Sequence, residues 1–244
     1  MDTCKYSKGR IDCPGDKIPP IPKFALRDSG NMIIVEKHED NLFEDDWFFI
    51  RYKNIPKKTF ILKTIDLEKD ICNQHICSLY NLSPRIVDYW KCQSKENYAV
   101  ISEYDLRNYS TFDKILRLYT NNKEIITQYL LKLYYNVLYM NCILGIYHKD
   151  LYPENIIVNS KTLELKIINF NASENSTHKS RKDLELIESW MRKEYLGFKD
   201  VGTKSVYPGL YHTLVKHITF SLDLDKIKTK EDIVKTLENY KKCL

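Results

Sequence analysis

Residues 147–171, YHKDLYPENIIVNSKTLELKIINFN, set a histidine, an aspartate and an asparagine in one short stretch ahead of a hairpin. His-x-Asp, then Pro-x-Asn, then a hairpin is the cadence of a phosphoryl-transfer loop. The hairpin ends in Asn169 and Asn171, neutral amides that hold a metal ion less strongly than carboxylates do.

A loop of this kind needs elements to hold it, and the apolar periodicities supply them. NMIIVEK (31–37), WFFIRYK (47–53) and TFILKTI (59–65) are β-prone runs separated by charged or proline-containing links, which predicts successive antiparallel strands. EKDICNQHICSLYNL (68–82) puts Ile71, His75 or Ile76, and Leu79 about one helical turn apart. The helix should end before Ser83-Pro84, because the residue before proline avoids the helical region. RIVDYWKC (85–92) and NYAVISEYDL (97–106) read as two more strands.

Beyond residue 106 the period changes. Ile126, Leu130, Leu133, Val137, Met140 and Leu144 recur at alternating steps of four and three, which predicts a long buried helix. NIIV and LKII flank NSKT as a hairpin, and KDLELIESWMRKEYL (182–196) is helical with Leu184, Ile187 and Met191 on one side. Near the end, Thr229-x-x-Asp232 resembles a capping box ahead of Ile233 and Leu237. The predicted organisation is α+β: an irregular, proline-bearing arm over 1–23, a small β-rich lobe with one helix over 24–104, and a helical lobe over 105–244.

Bulk properties exclude several classes. A net charge of +5 over 244 residues, without lysine or arginine clusters, argues against a nucleic-acid partner. The seven cysteines (4, 13, 72, 77, 92, 142 and 243) form no Cys-x-x-Cys pair, so neither a disulfide framework nor a zinc site is expected. That points to a reducing, intracellular and cytoplasmic setting. The start, MDTCKYSKGR, lacks the apolar core of a secretion signal, and no membrane span is expected. Abundant Ile, Lys, Asn and Tyr with little Gly suits an AT-rich genome such as that of a large DNA virus, for which the setting would be host cytoplasm. Gly30 is followed by no glycine until Gly145, which rules out a glycine-rich phosphate loop within 31–144.

HKDLYPENIIV resembles the catalytic loop of eukaryotic-type protein kinases, His-Arg-Asp-Leu-Lys-Pro-Glu-Asn, and the likeness continues in order from about residue 30 to 195. The resemblance implies a bilobal protein kinase-like fold. It makes Asp150 the catalytic residue that orients the attacking hydroxyl and accepts its proton. It makes Lys63, in FILK, the anchor for the nucleotide phosphates, with Asp70, or else Glu68, as its acidic partner. Ser102 takes the gatekeeper position, and Glu103 enters the linker that borders the nucleotide. Asn155 and Asn169 fall at the metal positions, with ATP and Mg2+ as the implied cofactors. His148 is a scaffold residue. Asp183 is either the buried aspartate that holds the catalytic loop or a helix N-cap.

Four departures from that family bear on activity. Asn169 offers a metal no charge, and a unit-charge interaction at about 4 Å is worth on the order of 4 kcal/mol at an effective dielectric of about 20. Lost at the transition state, that slows a reaction roughly a thousandfold. Tyr152 stands where a phosphate-stabilising lysine is expected. VEKHEDNLFEDDWFF replaces the glycine-rich loop and carries Glu36, Glu39, Asp40, Glu44, Asp45 and Asp46. Asp183 follows Asn169 by only 14 positions, too few for an activation loop and peptide platform, and the usual loop arginine is Lys149. The expectation is a pseudokinase acting on a protein partner. The alternative is an active, divergent serine/threonine or small-molecule phosphotransferase.

Overall fold

A computed structural model describes residues 6–7, 13, 32–37, 48–53, 55–65, 67–92, 98–104, 108–195 and 207–242. Most of the arm and the acidic run 38–47 lie outside these residues. The chain is α+β and divides into two compact units, 1–109 with 168–171, and 110–167 with 172–244.

The first unit is built on one antiparallel sheet. Its strands are β1 (Tyr6–Ser7), β2 (Met32–Lys37), β3 (Phe48–Tyr52), β4 (Ile55–Ile65), β5 (Ile86–Cys92) and β6 (Tyr98–Tyr104). They lie in the order β1-β5-β6-β4-β3-β2. β4 runs four residues further upstream than its apolar run predicts. Phe60, Ile61, Leu62 and Ile65 on β4 are all buried, so both faces of this central strand are covered. Helix α1 (Glu68–Leu79) packs on β4 and β5. It stops where expected: Asn81 takes a left-handed conformation (φ 62°) and Leu82 N–H bonds back to Cys77 O at 3.0 Å. Its buried side differs from the predicted stripe, with Asp70 through His75 all buried and Leu79 45 % exposed.

One expectation about this unit is overturned. Cys13 and Cys72 are joined by a disulfide, with their Cα atoms 5.2 Å apart. No motif marks the pair, because the two residues are 59 positions apart and meet only through folding.

The second unit is mainly helical. α2 (Phe112–Leu118) precedes α3 (Lys123–Leu138), which continues through a wider π turn to Ile143. Asn122 starts α3 by accepting the Ile125 amide at 3.1 Å. Ile126, Leu130, Leu133, Val137 and Met140 are completely buried, as their spacing predicts. α4 (Lys182–Trp190) and α7 (Lys230–Lys242) pack against α3. α5 (Tyr207–Leu210), a π turn and α6 (Lys216–Ser221) form one continuous helical stretch. Short strands β7 (Tyr109–Thr111), β8 (Ile146–Tyr147), β9 (Ile156–Asn159), β10 (Leu165–Ile167) and β11 (Glu174–Asn175) complete the order. Two cations fasten the chain end: Arg181 donates to Thr219 O (2.6 Å) and Leu222 O, and Lys179 to Leu224 O (2.6 Å) and Ile227 O (2.5 Å). Among the described residues no helix is long and apolar enough to cross a membrane.

Candidate functional site

The loop 147–155 lies between β8 and the β9–β10 hairpin. The hairpin forms because Asn159 makes the turn itself: its side-chain oxygen accepts the Lys161 and Thr162 amides at 3.0 and 3.2 Å. Leu165, Lys166 and Ile167 then pair with Val158, Ile157 and Ile156. Upstream, Gly145 is needed for its geometry. Its φ is +66°, and a Cβ there would lie 2.8 Å from Ser176 O. Ser176 N–H donates to Gly145 O at 2.8 Å, next to the β8–β11 pairing.

Helix α4 holds this loop at two points. Asp183, fully buried, accepts His148 N–H and Lys149 N–H at 2.8 Å each. Asn141, with its amide oriented to satisfy both of its polar atoms, donates to Asp183 at 3.0 Å and to Ile146 O at 2.9 Å. Seven residues further along α4, Trp190 Nε1–H donates to Leu151 O at 3.0 Å. Its ring meets Phe112 edge-on, with centroids 6.2 Å apart. Asp183 and Trp190 share a face of α4 because they lie two turns apart. The two readings of Asp183 are thereby decided: α4 begins after Arg181, and Asp183 anchors the loop instead of capping the helix.

Within the loop, Asn155 Nδ2 donates to the Asp150 carboxylate and to Asp150 O, both at 2.8 Å. Asp150 and Asn155 are therefore brought together, with Asn155 buried and its amide oxygen left to accept. Lys149 adopts a left-handed backbone (φ 63°), and its ammonium pairs with Glu174 on β11. Lys182 lies 3.9 Å from the same carboxylate. A shallow pocket of about 390 Å³ opens here, lined by Lys149, Lys182, Glu185 and Leu186. Tyr152 is 44 % exposed.

In the first unit Lys63 and Asn169 are brought together although 106 residues separate them. The Lys63 ammonium donates to Asn169 Oδ1, and Lys63 is 6 % exposed. Asn169 holds a left-handed backbone with φ 67°, a conformation that asparagine tolerates better than most residues. Asp70, in the first turn of α1, is 1 % exposed, whereas Glu68 lies on the exposed side. Ser102 is buried and accepts from Gln74 Nε2 at 2.8 Å. Ser83 in turn donates to Gln74 O at 2.7 Å. The Glu103 carboxylate is engaged by Arg85 at 2.7 Å and Lys58 at 3.9 Å on the surface.

No protein-family model matches the chain, and no curated protein matches it.

Sequence reasoning missed the Trp190 anchor, the Asn141 donor and the Glu174 partner. The spacing of Asp183 and Trp190 on one predicted helix face was a usable signal for the first of these. Glu174 carries no local signal, since it reaches Lys149 only through the β8–β11 pairing. Among the described residues no group of three or more His, Cys, Asp or Glu gathers as a metal cluster.

Proposed function

We propose that the chain is a divergent protein kinase-like domain, with a β-rich lobe and a helical lobe, whose nucleotide and metal site is degraded. It acts by binding a protein partner. The observation that supports this reading best is the Lys63–Asn169 hydrogen bond. The lysine that the resemblance assigns to the nucleotide phosphates is engaged by a neutral amide, at the position where the family places a metal-binding carboxylate.

The donor chemistry fits Mg2+ poorly. A hard divalent ion prefers anionic oxygens. Asn155 and Asn169 offer amide oxygens only, and that of Asn169 already accepts from Lys63. The loop of the second unit is nonetheless well held, which is what a domain retained for its shape requires. A protein partner suits the mild positive charge better than nucleic acid does.

Thermal shift with ATP, with and without Mg2+, tests the reading on the wild type and on Asn169→Asp. The wild type should show no Mg2+-dependent shift, and Asn169→Asp should gain one. A rise of several degrees in the wild type with ATP and Mg2+ would overturn the proposal.

One observation favours a second reading, an active ATP-dependent phosphotransferase. Asp150 is preorganised by Asn155 and the anchored loop, as a group that orients a hydroxyl and accepts its proton should be. Transfer of the γ-phosphate that disappears in Asp150→Ala would establish it, and equal background in both proteins would end it.

A further inference from the structure

Cys72 lies on α1, 4 % exposed, among Ile65, Ile71, Ile86, Tyr89 and Val100. Cys13, half-buried, packs against the same cluster and is bonded to Cys72. We propose that this pair is a redox latch: the disulfide fastens Cys13 to helix α1, and a dithiol reductant releases it.

The two sulfurs are not equivalent. Thiol–disulfide exchange needs access to the sulfur under attack; Cys72 is 4 % exposed and Cys13 is the less buried of the two, so attack falls on Cys13. A reductant thiolate attacks Cys13 Sγ, the Cys13–Cys72 bond breaks, and a mixed disulfide forms on Cys13. Cys72 leaves as a thiolate and takes a proton. The second thiol of the reductant then attacks its own mixed-disulfide sulfur, expelling the Cys13 thiolate and closing the reductant's disulfide. Two electrons pass from dithiol to protein. Closure is the reverse, with a small-molecule disulfide such as oxidised glutathione accepting the electrons.

Leaving as a thiolate is costly for Cys72, because its surroundings are apolar. A monothiol attack on Cys13 is therefore readily reversed, and the dithiol's second step is what drives release. The latch thus stays closed in mild monothiol and opens to a dithiol.

The fastened helix has consequences for its neighbours. Asp70 lies two positions before Cys72 and Gln74 two positions after it, and Gln74 ties α1 to Ser102 on β6. Opening the latch removes a covalent restraint spanning 59 positions and loosens the helix that carries these groups. This inference stands independently of the nucleotide reading.

The experiment compares full-length protein equilibrated in oxidised glutathione, in reduced glutathione and in dithiothreitol. Peptide mapping reads the bond, and hydrogen exchange reads residues 67–80. Oxidised protein should yield a linked Cys13–Cys72 peptide that survives reduced glutathione and is lost in dithiothreitol. Exchange of α1 should then rise about tenfold or more as the restraint is released. Cys13→Ser should exchange like the reduced wild type and ignore the reductant. Should that variant fail to fold, reduced wild type alkylated at the accessible Cys13 serves the same comparison. Absence of the linked peptide, equal α1 exchange in both redox states, or opening by monothiol alone overturns the latch.

Discussion

Replacing Asp183 tests whether the loop 147–155 is held by α4. Its carboxylate is fully buried and accepts two backbone amides, those of His148 and Lys149, at 2.8 Å. Hydrogen bonds to a charged group contribute about 1.5–3 kcal/mol each. Asp183→Ala removes the acceptor and strands both amides, one of them on the left-handed backbone of Lys149. The expected loss is about 3–5 kcal/mol. At roughly 2–4 °C per kcal/mol for a chain of this size, melting should fall by about 10 °C. Asp183→Asn preserves shape and one acceptor oxygen, so it should lose about half as much. Hydrogen exchange on peptides covering 146–156 is the direct assay, because it reads the loop without requiring whole-chain two-state unfolding. Protection there should collapse in the alanine variant and partly survive in the asparagine variant. If Asp183→Ala leaves both melting and loop protection unchanged, the anchoring role is wrong.

Two further outcomes follow from local geometry. Gly145→Ala forces a Cβ against Ser176 O and a side chain onto a positive φ; about 2–3 kcal/mol of destabilisation is expected, read by urea denaturation, whereas Ser176→Ala, which keeps the backbone bond, should be near neutral. At the start of α7, Asp232 accepts the Lys228 and Thr229 amides, Thr229 Oγ accepts the Asp232 amide, and these bonds hold the Asp232 carboxyl below its ordinary 3.8. A depressed folded pKa stabilises above the unfolded value and loses that contribution as pH falls through the folded value. Fraying of α7 should therefore grow as pH drops below about 4, and Thr229→Ala should weaken that dependence, as amide exchange at Asp232 and Ile233 would show.

Legibility in the sequence followed the range of the interactions. The stripe from Ile126 to Leu144 was plain because its residues repeat the helical period; the five through Met140 are 0 % exposed, while Leu144, past the last helical turn, is only partly buried. The β9–β10 hairpin was equally plain because Asn159 closes its turn within six residues. The α5–α6 stretch was hidden by Pro208-Gly209, which reads as a breaker. Yet proline is harmless in a first helical turn, where its amide needs no intrahelical partner. Leu79 shares the one-turn spacing of Ile71 and His75 yet is 45 % exposed, because α1 is covered on so much of its circumference that burial follows contact instead of period.

By itself the sequence determined which side-chain types stand where: Asp150 and Asn155 on one loop, Lys63 on a strand, and a neutral amide at 169. Side-chain type and local spacing are written in the chain, and no fold alters them. Only the tertiary structure decided that Lys63 meets Asn169, that Asp183 grips the loop from beneath, and that Cys13 reaches Cys72. Those contacts join residues 106, 35 and 59 positions apart. Over such separations no local period carries information, and the closing of sheets and the packing of α1 and α4 select the partners.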